Sequence, residues 1–111
     1  MAKRKIINAG LYLKDCLEQR GVRVSKIILF GSQAMGRADK FSDIDFIIVS
    51  DDFKGKDIFD RAEMIGDVEF KVVNKYDIPV DLMLKTPEEI EEGGSITTGR
   101  AAREGLVVWA A

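Results

Sequence analysis

The chain contains no histidine. That removes Ser-His-Asp and Cys-His nucleophile systems and the imidazole ligands of most catalytic zinc sites. It has one cysteine, Cys16, so no internal disulfide is possible and a reducing cytoplasm is the expected compartment. Cys16 falls within a helical pattern and reads as an inert thiol, packed or half-exposed. No apolar run approaches the ~20 residues of a membrane span. The basic start, Lys3-Arg4-Lys5, leads into an amphipathic pattern, not the continuous apolar stretch of a signal peptide. No other basic block appears and the net charge is −2, which argues against extensive nucleic-acid binding. Chemistry in this chain must rest on carboxylates, hydroxyls, lysines, arginines and a metal.

What is present fits one globular domain over 1–111 with a modest core: 111 residues, 46% hydrophobic and 32% charged. The informative stretch is 27–50, IILFGSQAMGRADKFSDIDFIIVS. Ile27 to Phe30 is a short apolar run stopped by Gly31-Ser32. Phe46 to Val49 is another, opened by Asp43 and Asp45. Both are rich in β-branched or aromatic residues and bounded by turn residues, so both read as buried strands, about 24–30 and 44–50. A short helix is expected over 32–38 and a loop over 39–42.

Residues two apart on a strand share a face, so Asp43 and Asp45 should project together, roughly 6.5–7 Å apart at Cα. Two such carboxylates repel unless a cation lies between them. A hard divalent ion suits them, and Mg²⁺ is commonly held by one or two carboxylates plus substrate phosphates. Gly31 allows close backbone approach to a ligand. Ser32 starts the expected helix, whose N-terminus favours phosphate. Arg37 reads equally as a contact to anionic oxygen and as a solvated surface arginine. Ser42 is placed to hydrogen-bond backbone and steady the carboxylates. Asp51-Asp52 follow the second strand at its far end and read as a polar turn, not as ligands.

Elsewhere, Ile6, Gly10, Leu13 and Leu17 make a helical stripe over 4–20, stopped by Gly21. Ile58, Ala62, Ile65, Val68 or Glu69, Val72 and Tyr76 advance in steps of three or four, which predicts one long helix over about 57–76, bent at Gly66. Phe59, Phe70 and Val73 widen its apolar face, mostly to cover a sheet. Pro79 precedes a third strand, Val80 to Leu84, with Asp81 inside it. A buried acid there is expensive unless paired or metal-bound. If this strand pairs with the second, Asp81 can join Asp43 and Asp45. Thr86-Pro87-Glu88-Glu89 is a helix start with Thr86 as N-cap and Glu89 at the third helical position. A helix over about 96–104 and a last strand, Leu106 to Trp109, complete the chain. The expected class is α/β (α+β): a small mixed sheet of three or four strands covered by helices.

Gly31-Ser32, ten residues, then Asp43-Ile44-Asp45 with a downstream Asp81 resembles the signature of the polymerase-beta-type nucleotidyltransferase superfamily. It is most similar to the minimal nucleotidyltransferases (MNT), small prokaryotic proteins often paired with a HEPN-domain protein. The resemblance implies that fold, and transfer of a nucleoside monophosphate from a triphosphate such as ATP to a hydroxyl. It implies that Asp43, Asp45 and Asp81 are catalytic and hold two Mg²⁺ ions, and that Gly31, Ser32, Arg37 and Ser42 serve the nucleotide phosphates. It also implies a HEPN partner, adenylylated on a hydroxyl and so silenced, as in a toxin–antitoxin pair. Two other readings stay open: a binding module that neutralises its partner by contact alone, and a transferase acting on a small molecule or nucleic-acid end. Assembly with itself or with a partner is expected for so small a domain.

Overall fold

The computed structural model describes residues 4–30, 44–92 and 105–111. The helix expected over 32–38, the loop over 39–42 and the helix over 96–104 lie outside them. Four strands form one mixed sheet: β1 (Lys26–Phe30), β2 (Ile44–Val49), β3 (Val80–Lys85) and β4 (Leu106–Ala110), in the order β3-β2-β1-β4. β1 runs antiparallel to both β2 and β4, and β3 runs parallel to β2.

Helix α1 (Arg4–Gln19) buries Ile6, Ala9, Gly10, Leu13, Cys16 and Leu17, the stripe that its sequence period places on one face. It ends with the Val22 amide donating to the Leu17 carbonyl and the Gly21 amide to that of Glu18, the paired bonds of a Schellman cap. A Cβ added at Gly10 would lie 2.7 Å from Cγ1 of Val108 and 3.3 Å from Phe46. Gly10 is what lets α1 seat closely on the sheet.

The long helix expected over 57–76 is two: α2 (Ile58–Ile65) and α3 (Val68–Tyr76). Gly66, at φ +54° and ψ −123°, leaves helical backbone altogether, so it breaks the helix where a bend was expected. The guanidinium of Arg20 lies over Gly66, and its Nε donates to the Met64 carbonyl at 3.0 Å, using an acceptor left open at the end of α2. Asp57 and Asp60 form a reciprocal capping box at the start of α2. The wide apolar face does not all cover the sheet. Ile65, Val68 and Val72 are buried, but Ile58, Phe59 and Phe70 are 76%, 80% and 69% exposed.

The sheet has two unlike faces. On one, Ile27, Leu29, Ile44, Phe46, Ile48 and Val80 join α1, α2 and α3 in the main core. On the other, Ile28, Ile47 and Val49 form a smaller cluster with Phe30, Met83 and Ile90 of helix α4 (Pro87–Glu92). α4 starts as its sequence predicts: Thr86 Oγ1 accepts from the Glu89 amide at 3.1 Å, and Glu89 Oε1 accepts from the Thr86 amide at 2.8 Å. Among the described residues, no helix is long and apolar enough to cross a membrane.

Candidate active site

Strand alternation puts Asp45 on the face of Ile47 and Val49, away from the main core. In the β2–β3 register Asp45 stands directly opposite Asp81, and in the β1–β2 register Phe30 stands opposite Asp45. Phe30, Asp45 and Asp81 therefore form one row across three strands, on one face. Neighbouring strands lie about 4.8 Å apart, so the two carboxylates rise from the sheet side by side. Asp45 is half-buried and Asp81 is exposed.

The exposure of Asp81 corrects one expectation. The sequence suggested a buried acid in need of compensation. β3 lies at the end of the sheet order, so its outer side escapes burial and Asp81 carries no large desolvation cost. One further acid feels the charge of Asp81. Loss of hydration first, and the charge of Asp81 second, push the carboxyl of Glu69 on α3 above its ordinary range. Nothing in the sequence around Glu69 signals this, because α3 and β3 meet only through the fold.

Asp43, Gly31, Ser32, Arg37 and Ser42 lie outside the described residues. Among the described residues, no three acids or cysteines gather into a group able to hold a metal ion. Asp45 and Asp81 set two carboxylates opposite each other on one face.

The acids at the other end of β2 are placed differently. Ser50 caps a short helical turn, Asp51–Phe53, by accepting from the Asp52 amide. Asp52 Oδ2 accepts from the Arg23 amide at 2.8 Å, and Oδ1 from the Arg23 guanidinium at 3.0 Å. These bonds hold the Asp52 carboxyl below its usual range. A second fastener, also unremarked in the sequence, is Arg61 of α2. Its Nη1 donates to the Leu84 carbonyl at 2.9 Å and to Glu89 Oε1 at 2.8 Å, tying α2 to the end of β3 and to α4. Burial pushes Glu89 upward, but the Thr86 amide and the Arg61 guanidinium outweigh it, leaving the carboxyl lowered.

Residues 12–104 match the family model of the nucleotidyltransferase domain. A Methanocaldococcus jannaschii protein, named as a protein adenylyltransferase, is 29% identical over 79 residues. That match takes in 71% of this chain but spans only 53% of the relative's length. Among solved structures, a Sulfolobus solfataricus protein described as a nucleotidyltransferase superposes with a TM-score of 0.58 at 19% identity, covering 97% of this chain and 89% of that one. A toxin–antitoxin with AMP-PNP gives 0.63 at 21% identity, covering 92% and 73%. A mutant of the toxin–antitoxin MntA–HpeT gives 0.58 at 19%, covering 87% and 69%. At these identities the structural matches establish a shared fold, and the four-stranded mixed sheet is that of the nucleotidyltransferases.

Proposed function

Because the chain belongs to the nucleotidyltransferase domain family, we propose that it moves AMP from ATP to a hydroxyl of a partner toxin, a HEPN-domain protein, and so silences it. The observation that carries this reading is the register that sets Asp45 opposite Asp81 on one face. Two carboxylates on adjacent strands are a hard oxygen donor set, the kind Mg²⁺ takes together with substrate phosphates. Asp43, two residues before Asp45, is proposed as the third ligand, and the set as the holder of two Mg²⁺ ions. Bound there, Mg²⁺ would offset the charge of the triphosphate and of the oxygens that exchange bonds to phosphorus.

The remaining roles belong to the chain's own groups. Gly31 follows Phe30 in sequence, and Phe30 is the residue opposite Asp45. β1 therefore ends, just before Gly31, at the end of the sheet where Asp45 and Asp81 stand. We assign Gly31 and Ser32 to hold the terminal phosphates, Arg37 to neutralise them, and Ser42 to orient the neighbouring carboxylates. The rate enhancement comes mainly from positioning and charge complementarity, since phosphoryl-type transfer asks little covalent chemistry of the protein.

Three comparisons support a protein acceptor within a toxin–antitoxin pair. One relative is named as a protein adenylyltransferase. Two structural neighbours are toxin–antitoxins, one with AMP-PNP. The MntA–HpeT mutant carries Asp-to-Glu changes at two positions two residues apart, the spacing of Asp43 and Asp45. The test is to incubate the protein with ATP, Mg²⁺ and the HEPN-type product of the adjacent gene, then weigh that product intact. A gain of one or more AMP units is expected. An unchanged mass beside an active control would contradict the proposal.

A further inference from the structure

The sheet order leaves the outer side of β3 without a neighbouring strand among the described residues. Two bonds fix which backbone groups face inward: the Ile44 amide donates to the Pro79 carbonyl at 2.9 Å, and the Ser50 amide to the Lys85 carbonyl at 3.0 Å. Alternation along a parallel strand then turns the amides and carbonyls of Val80, Leu82 and Leu84 outward. The Leu84 carbonyl accepts from Arg61 and keeps a second lone pair. Such an edge is a template for another strand.

The charges on β3 say which strand. Asp81 and Lys85 share a face but stand four residues apart, about 13 Å along the strand, too far to pair within one chain. Neither forms a salt bridge with another described residue. An antiparallel copy of β3, with Met83 opposite Met83, sets each Asp81 against Lys85 of the other copy. The two-fold axis makes that pairing occur twice. In this register Leu82 and Leu84 fall in the hydrogen-bonded pairs. Asp81 and Lys85 fall in the non-hydrogen-bonded pairs, where side chains come closest. Leu82 and Leu84 also line a groove of mixed apolar and charged side chains beside the edge with Ile58, Ala62 and Ile65, and Ile58 is 76% exposed.

We propose that two copies of this chain associate through β3, joining their sheets into one, with Lys85 of each copy beside Asp81 of the other. The alternating signs at positions 81 and 85 make the edge complementary to itself. This goes beyond the transferase reading, with which it shares Asp81, and its failure is told apart from that reading's because its readout is mass in solution and not transfer.

Sedimentation equilibrium of the full chain over a wide concentration range tests it. Wild type should approach twice the 12.4 kDa of one chain. Lys85→Asp places two acid–acid pairs across the seam and should weaken self-association about tenfold or more. The exchange Asp81→Lys with Lys85→Asp restores opposite pairs and should restore the dimer, with circular dichroism confirming that each variant folds. Wild type that stays monomeric at every concentration would overturn the proposal, leaving the edge guarded by its charges or open to a different chain. A dimer indifferent to Lys85→Asp, or not restored by the exchange, would equally overturn it.

Discussion

At the far end of β2, Asp52 accepts two hydrogen bonds from Arg23; at the near end, Asp45 stands opposite another carboxylate, Asp81. The residue type is the same, but Asp45 lies within β2 and Asp52 just beyond its end, and they face different neighbours. A carboxylate met by a guanidinium is a fastener, with its charge answered inside the fold. Two carboxylates set in register concentrate negative charge at one point of the surface, and that concentration favours a cation. On the proposed function, one end of β2 serves the structure and the other serves the chemistry.

The largest expected effect breaks the near end. Asp81→Asn or Asp45→Asn should lower AMP transfer by about 10²–10³-fold or more, the scale of losing one electrostatic contributor at a reacting centre. Thermal unfolding should move little for Asp81, which is exposed. Transfer within a few-fold of wild type in either variant would erase the distinction between the two ends. The next effect strikes the core face and spares the carboxylate face. Gly10→Ala pushes a methyl against Val108 and Phe46 and should cost about 1–3 kcal/mol in urea unfolding, as overpacking does. The surviving folded fraction should keep full transfer activity per molecule.

The smallest effect belongs to the far end. Asp52→Asn should leave transfer unchanged and lower thermal stability slightly, since Arg23 is largely exposed and solvent screens the pair. Its signature is in the pH dependence. The folded Asp52 carboxyl titrates below its unfolded value of about 3.9, so its contribution is fully present above that value. It is lost as pH falls through the lowered folded value. Acid unfolding of Asp52→Asn should therefore lack part of the steep fall seen in wild type below about pH 4. Identical acid limbs would show that the Arg23 contacts contribute nothing.

Much of the fold was legible because it is written in local periods. The stripe of α1, the apolar runs of β1 and β2, and the Thr86–Glu89 capping box each appear where their spacing predicts. The break at Gly66 was hidden because Ile65 and Val68 are three residues apart, so the stripe crosses the break without losing phase. The exposure of Ile58, Phe59 and Phe70 was hidden for a related reason: a period shows that residues share a face, not that another surface covers it. The exposure of Asp81 depended on strand order, a property of the whole sheet that no window of sequence contains. Of the site residues that the sequence suggested, the described structure sets Asp45 opposite Asp81, and Gly31, Ser32, Arg37, Ser42 and Asp43 lie outside it. Glu69 and Arg61 come from helices brought to β3 by long-range packing, and no local pattern marked either one.

The most direct measurement is a crystal of the protein soaked with Mn²⁺, which carboxylates hold much as they hold Mg²⁺, and a nonhydrolysable ATP analogue. An anomalous peak should lie within direct coordination distance of carboxylate oxygens from both Asp45 and Asp81, with phosphate oxygens completing the shell. A Mn²⁺ peak that touches neither aspartate, or the analogue seated elsewhere on the chain, would contradict the account.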